Sequence, residues 1–332
     1  MKTGCSMNIA IVGCGLIGEK RLKALREHRL LYAIDPQIPR AERLCTLKGE
    51  GRALANWEDI VNDPALNLVI IAVTNNLLAS MAAAFLRENK HILVEKPAGK
   101  NPADIRQALD AQAKSSAFAK VGFNHRYHPA MLKAKELVQS GVLGELMFIR
   151  GRYGHGGRLG YEKEWRFDRE ISGGGELLDQ GVHLIDLSRW LIGEEFTQIS
   201  GHADRFFWEM ELDDNGFMDL RTDSGKTAWL HVSCTEWKNL FSLEIYGKYG
   251  KLHIDGLGGS YGLERLAYYK MLPEMGPPET TIWEYPFPDK SWEAECAYFV
   301  NCIEKGTPPE GNLFDAAQAL HIVHTIYGGE QI

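Results

Sequence analysis

The apolar positions of the first 125 residues fall in short blocks separated by helical spacing. Blocks at 8–12, 30–34, 68–73, 92–94 and 119–123 predict strands, and amphipathic stretches at 16–27, 39–47, 76–88 and 102–114 predict helices between them. Almost wholly apolar strands belong to a sheet buried on both faces, and intervening helices require right-handed crossovers. This half is predicted to be α/β, a doubly wound parallel sheet.

Beyond a linking helix at 131–140 the apolar period changes to two. Segments at 146–153, 198–204, 216–222, 227–235, 241–246, 251–254 and 282–285 alternate, with turn signals such as Asp214-Asn215-Gly216 and Gly247-Lys248-Tyr249-Gly250 between them. Such alternation suits a mostly antiparallel, open sheet with one covered face. One helix, 176–191, interrupts the strands, and two more, 292–305 and 314–327, close the chain. The expected organisation is a Rossmann domain at 1–125 and an α+β domain at 126–332, with a C-terminal helix able to pack back on the first domain.

Composition narrows the function. A chain of 332 residues, 45% hydrophobic and 24% charged, can bury a core without disulfides or a metal. Acidic residues outnumber basic ones 44 to 37, which argues against nucleic acid as a partner. The longest apolar stretches fall far short of the ~20 residues that span a bilayer. Lys2 ahead of Ile9–Val12 imitates a secretory leader, but the run ends in Gly13-Cys14-Gly15 and reads as a first strand, with Met7 a possible start. The six cysteines are scattered, with no CxxC or Cys/His cluster; that pattern suits a reducing cytoplasm and offers no metal site.

Gly13-Cys14-Gly15-Leu16-Ile17-Gly18 matches G-x-G-x-x-G, a weak signal alone. Here it leaves a strand, opens a helix, and has Asp35 at the end of the second strand. Gly13 permits the tight turn, Gly15 lets backbone approach a pyrophosphate, and Gly18 lets the helix pack on the strand. The helix N-terminus turns free N–H groups toward phosphate, beside Leu16 and Ile17. Asp35 accepts from ribose hydroxyls and repels a 2′-phosphate, so NAD is expected over NADP; Arg40 keeps NADP as the minority reading.

Three further motifs make the chain resemble the glucose–fructose oxidoreductase/inositol dehydrogenase (Gfo/Idh/MocA) family from about residue 8 to 328. Glu95-Lys96-Pro97 matches its E-K-P. Gly122-Phe123-Asn124-His125-Arg126-Tyr127 is similar to its G-x-N-x-R-[FY]. The run from Gly173-Gly174-Gly175 through Asp179, Gly181 and His183 to Asp186 resembles its G-G-G-x-L-x-D-x-G-x-H-x-x-D signature. The chain departs at Thr74-Asn75-Asn76-Leu77-Leu78-Ala79, where the family reads T-P-N-x-x-H, and at Glu176, where a small or apolar residue is usual. The resemblance implies cofactor contacts from Thr74, Asn76, Glu95, Lys96, Asn124, Arg126, Trp165 and Arg166. It also implies a second domain that carries substrate residues and assembles homodimers or homotetramers through its sheet.

The expected catalytic set is Lys96, Asp179 and His183. Asp179 and His183, four apart on a helix, share a face, and a carboxylate beside an imidazole fixes its tautomer and favours its charged form. The glycine run ahead of them is expected to let that helix start close to a ligand. Such a pair suits oxidation of a secondary alcohol, with Lys96 steadying the alkoxide. Residues 150–170 hold six basic and four acidic residues, so Arg166 points to an anionic sugar such as a nucleotide sugar or sugar acid, and Tyr153 is a candidate to stack on a ring; a solvated loop of mixed charge is the bland alternative. The expected activity is hydride transfer between nicotinamide and a hydroxyl or keto carbon of a sugar, sugar derivative or cyclitol. The alternatives are an NAD-dependent glycoside hydrolase and a nucleotide-sensing regulator without catalysis.

Overall fold

The computed structural model describes residues 6–274 and 276–329; Lys2 and Cys5 lie outside them. The chain forms two compact units, one from residues up to Phe123 together with Trp292–Gln318, the other from Asn124–Ser291 with the residues from Ala319 onward. The stretch Trp292–Gln318, assigned above to the second domain, therefore belongs with the first.

In the first unit, strands β1 (Asn8–Val12), β2 (Arg29–Ile34), β3 (Arg52–Leu54), β4 (Leu68–Ile71), β5 (His91–Val94) and β6 (Ala119–Val121) form one sheet in the order β3-β2-β1-β4-β5-β6. Every pairing is parallel. The order reverses between β1 and β4, the switch point at which doubly wound sheets bind ligands. β3 went unpredicted because its Arg-Ala-Leu is too short and too little apolar to show a period. The helix Asn75–Arg87 starts on time although Asn75 replaces the family's proline: Thr74, its N-cap residue, is extended without a side-chain capping bond, and the burial of Leu78, Met81, Ala82, Phe85 and Leu86 on one face holds the helix in place. The late helix Ser291–Lys305 adds Cys296, Phe299 and Val300 to the core built on Ile9, Ile11, Leu22 and Leu25.

In the second unit, β7 (Leu146–Gly154), β8 (Phe196–Asp204), β9 (Asn215–Thr222), β10 (Thr227–Ser233), β11 (Leu240–Gly247), β12 (Gly250–Asp255), β13 (Glu264–Lys270) and β14 (Glu279–Tyr285) form the sheet β14-β13-β12-β11-β7-β10-β9-β8. Only β7 and β10 pair in parallel. Ile149, Gly151 and Tyr153 face the packed side; Phe148, Arg150 and Arg152 face the other. That outer face carries two aromatic stacks, Phe148 on Tyr246 and His202–Phe217–His231, with Trp229 half exposed beside them. β13 was missed because its tyrosines and charges mask the alternation.

Among the described residues no helix is long and apolar enough to cross a membrane. The five described cysteines are free thiols.

Candidate active site

Each glycine of the first turn has its own task. Gly13 has φ +91°, and a Cβ there would sit 2.2 Å from the Ala72 carbonyl; at Gly18 it would meet the Gly13 carbonyl at the same distance. A Cβ on Gly15 would meet nothing within 4 Å, although Gly15 lies between them in the turn. The first and last glycines are demanded by packing, whereas the middle one faces open space where a pyrophosphate can approach. Leu16, strongly exposed, and Ile17 open the helix Leu16–Ala24 beside it. Asp35 accepts from the Cys14 amide at 2.9 Å and from the Gln37 amide at 2.8 Å, so its carboxylate is fixed at the end of β2. The residues therefore fit a dinucleotide. Thr74 donates to the Asn76 carbonyl at 2.7 Å and holds that side chain at the start of its helix.

Lys96 follows β5 at the carboxyl edge of this sheet, half-buried, and its peptide bond to Pro97 is cis. Glu95 is engaged elsewhere. Its carboxylate meets Arg21 at 2.6 Å; Arg21 also meets Glu295 at 2.6 Å, and Glu295 meets Lys120 at 3.1 Å. The Arg21 guanidinium lies over Trp292, 4.4 Å from the ring centre. Two cations and two anions balance with almost no exposure to solvent. Burial pushes the Glu95 carboxyl up and Arg21 opposes it. Glu95 is thus a structural anchor for the residue beside it, whereas the family resemblance implied a cofactor contact.

In the second unit two motifs lock together. Arg126 of the G-x-N-x-R-Y run donates two hydrogen bonds to Asp186, the last residue of the glycine-rich signature, at 2.8 and 2.5 Å. Asn124 donates to Ser291 at 2.9 Å. Both side chains, expected at the cofactor, are engaged within this unit. The glycine run also departs from expectation. A Cβ on Gly175 would meet the Asp213 carbonyl at 2.2 Å, and one on Gly174 the Tyr327 hydroxyl at 2.7 Å. The space is taken by the protein itself: Asp213 accepts from the Gly175 and Leu177 amides and from the Tyr327 hydroxyl at 3.1, 2.7 and 2.6 Å.

From there Leu177–Gly181 makes one wide, π-type turn before the regular helix Val182–Ile192. Asp179 lies in the wide turn and His183 in the regular helix, so the pair straddles a change of pitch of the kind that recurs at functional sites. The His183 ring stacks on His125, centroids 3.9 Å apart and planes 18° apart, with Tyr153 edge-on to both. Tyr153 is buried against Tyr261, 5.1 Å away. Around this group stand more polar side chains. The Gly157 amide donates to His155 Nδ1 at 3.0 Å, which places the proton of the neutral ring on Nε2, facing Tyr161 at 3.2 Å and the buried Glu176 at 3.8 Å. Burial depresses the His155 pKa, so the neutral ring is the stable form. Burial likewise pushes the Tyr153, Tyr161 and Tyr261 hydroxyls up, leaving them as donors.

Arg166 lies 3.6 Å from Asp179 and 3.4 Å from Glu164, stacked beside Trp165 with 4.9 Å to the ring centre. Of the other basic residues of 150–170, Arg158 shares Glu164 with it, whereas Arg150 pairs with Glu244 on the outer sheet face. Sequence reasoning missed His125, His155, Tyr161 and Tyr261. His125 sat within a quoted motif, but only the fold shows that its ring meets His183.

Two family models match the chain. One, described as "Oxidoreductase family, NAD-binding Rossmann fold", covers residues 7–123, and one described as the GFO/IDH/MocA C-terminal domain covers residues 131–253. A levoglucosan dehydrogenase of Pseudarthrobacter phenanthrenivorans is 28% identical over 66% of this chain and 60% of its own length. A myo-inositol 2-dehydrogenase of Thermotoga maritima is 25% identical over 95% of this chain and 93% of its own. A solved levoglucosan dehydrogenase in complex with NADH and levoglucosan superposes with a TM-score of 0.88 at 21% identity, covering 97% of this chain and 96% of the other, a likeness of fold.

Proposed function

Because the chain belongs to the Gfo/Idh/MocA family of NAD-binding oxidoreductases, we propose that it oxidises a ring hydroxyl of a neutral sugar or cyclitol to the ketone. Bound NAD supplies the hydride acceptor, and the chain's own residues do the rest. The turn Gly13–Gly18, Asp35, Thr74 and Asn76 would hold the dinucleotide, and Trp165 and Arg166 are assigned as further contacts from the second unit. His183 takes the hydroxyl proton, Asp179, four residues before it, orients the imidazole, and Lys96 steadies the alkoxide. In the reverse direction His183 returns the proton. A regulator that does no chemistry has no use for this acid–base set.

The observation that carries the substrate class is the lining around His183. Tyr153, Tyr161, Tyr261 and His155 are donors; Glu176 and Asp179 are acceptors. Arg166, the cation that suggested an anionic sugar, already faces two carboxylates. A neutral polyhydroxylated ring matches that balance better than a phosphate or a sugar acid. Relatives named for levoglucosan and myo-inositol agree in kind.

NADH formation with a panel of neutral sugars, cyclitols and sugar acids tests this reading. His183→Ala should lower kcat by ~10²–10⁴ on the best substrate while calorimetry shows NAD affinity nearly unchanged. Full turnover by that variant, or a preference for anionic substrates, would overturn the assignment. We further propose that the protein works in the cytoplasm as a homodimer or homotetramer. Free thiols and the uncovered aromatic face of the second sheet support this.

A further inference from the structure

We propose that the second unit carries a subsite for a second sugar ring, formed by Phe207 and Trp237, so that the preferred substrate is a neutral glycoside of at least two rings. The proposal rests on the sugar-oxidising reading above and extends it. The loop between β8 and β9 presents Phe206, Phe207 and Trp208, and Phe206, Phe207 and Trp237 are each more than half exposed. Phe207 stands edge-on to Trp237, centroids 4.6 Å apart at 84°, and edge-on to Trp208 at 5.1 Å. Exposed aromatic rings gathered in this way mark a recognition surface rather than scattered surface residues.

The fold holds the rings outward at a cost. Fully buried Asp214 accepts from the amides of Phe206, Phe207 and Trp208 at 2.9, 2.7 and 3.0 Å, which pins the loop backbone. Trp237 has φ +55°, a region that bulky residues rarely occupy and that is kept where the surroundings impose it.

The platform is continuous with the proposed site. Trp208 donates its ring N–H to the Cys234 carbonyl at 2.9 Å and packs on Tyr161, which meets His155. The Glu236 amide donates to the His155 carbonyl at 3.0 Å, and a Cβ on Gly156 would lie 3.0 Å from the Trp237 Cα. One residue thus separates a polar group of the reaction pocket from the aromatic pair. The recess beside Phe207, about 440 Å³ in volume, is lined by Arg205–Glu211, including Glu209 and Glu211. A pyranose has an apolar C–H face for the rings and a hydroxyl edge for such carboxylates. That chemistry, together with continuity with a pocket of hydroxyl partners, favours a sugar ring over a peptide or a second copy of the chain.

The test compares cellobiose, maltose and lactose with methyl glucosides on the full-length protein with NAD. Wild type should favour the best disaccharide by ~10-fold or more in kcat/KM. Trp237→Ala and Phe207→Ala should bring that ratio close to one, whereas Phe287→Ala, an exposed aromatic elsewhere in the second unit, should keep it. Without NAD, the disaccharide should change the tryptophan fluorescence of wild type and not of Trp237→Ala. Disaccharide binding through Trp237 without oxidation of any sugar would leave the subsite standing and overturn the oxidoreductase substrate. Equal use of one and two rings by wild type would overturn the subsite, as would a ratio unmoved by Trp237→Ala. A change of oligomeric state in Trp237→Ala would make the patch a subunit contact and overturn it too.

Discussion

Single side chains in this molecule owe their roles to what stands one bond or one ring away. Asp35 is the plainest case. Its carboxylate is fixed by the Cys14 and Gln37 amides, so it meets an approaching ribose without further ordering. A 2′-phosphate would meet that fixed negative charge. Asp35→Ser should narrow the preference for NAD over NADP, measured as the ratio of the two dissociation constants; tighter NADP binding by wild type would remove the argument. Cys14, in the same turn, is an inert thiol, because burial and then Asp35 push its pKa up to about 12. His183 and His125 depend on each other through packing: their rings stack with centroids 3.9 Å apart, so each fixes the plane of the other.

At the scale of elements, regular periodicity was readable and adjacency was not. The strands of the first sheet and the helices between them announced themselves, because buried parallel strands are continuous apolar runs and their helices carry one apolar stripe. The glycine turn was legible for a related reason, since the spacing of its first and last glycines is the geometry of the turn. What the residue pattern could not convey was partnership across the chain. Nothing around Glu95 announces Arg21 and Glu295, and nothing around Gly175 announces Asp213 and Tyr327. The wide turn at Leu177–Gly181 was equally hidden, because a change of helical pitch leaves the apolar stripe almost intact. The buried network makes a firm prediction. Glu295→Gln leaves Arg21 and Lys120 facing a single carboxylate out of water, and should cost about 3–5 kcal/mol in urea denaturation. Glu145→Gln, which breaks an exposed pair with Lys248, should leave the midpoint nearly in place.

For the molecule as a whole, the outer face of the second sheet ties stability to pH. Burial would raise the Glu244 carboxyl, but hydrogen bonds from Lys251, Arg150 and Tyr246 outweigh it and hold the pKa at about 2, against an ordinary 4.5. A carboxyl with a depressed folded pKa stabilises fully above its unfolded value and loses that contribution as pH falls toward the folded one. Acid titration should therefore show a loss between pH 4.5 and about 2 that Glu244→Gln flattens, read as the urea midpoint at each pH. The discontinuous first unit bears on how the chain is made. A ribosome delivers residues in order, and domains usually fold as they emerge. Here the parallel sheet is finished at Val121, yet Glu295 and Phe299 of its interior are synthesised only after every strand of the other sheet. Until then Glu95 is the carboxylate at hand for Arg21, and the charge that Glu295 brings to Arg21 and Lys120 is still missing through the making of more than half the protein. A fragment ending at Phe123 should stay insoluble or melt without cooperativity, and co-expressing a segment that contains 292–318 should restore a cooperative transition. Nascent chains stalled before Trp292 should for the same reason remain sensitive to protease in their earliest residues, however complete their fingerprint for the dinucleotide.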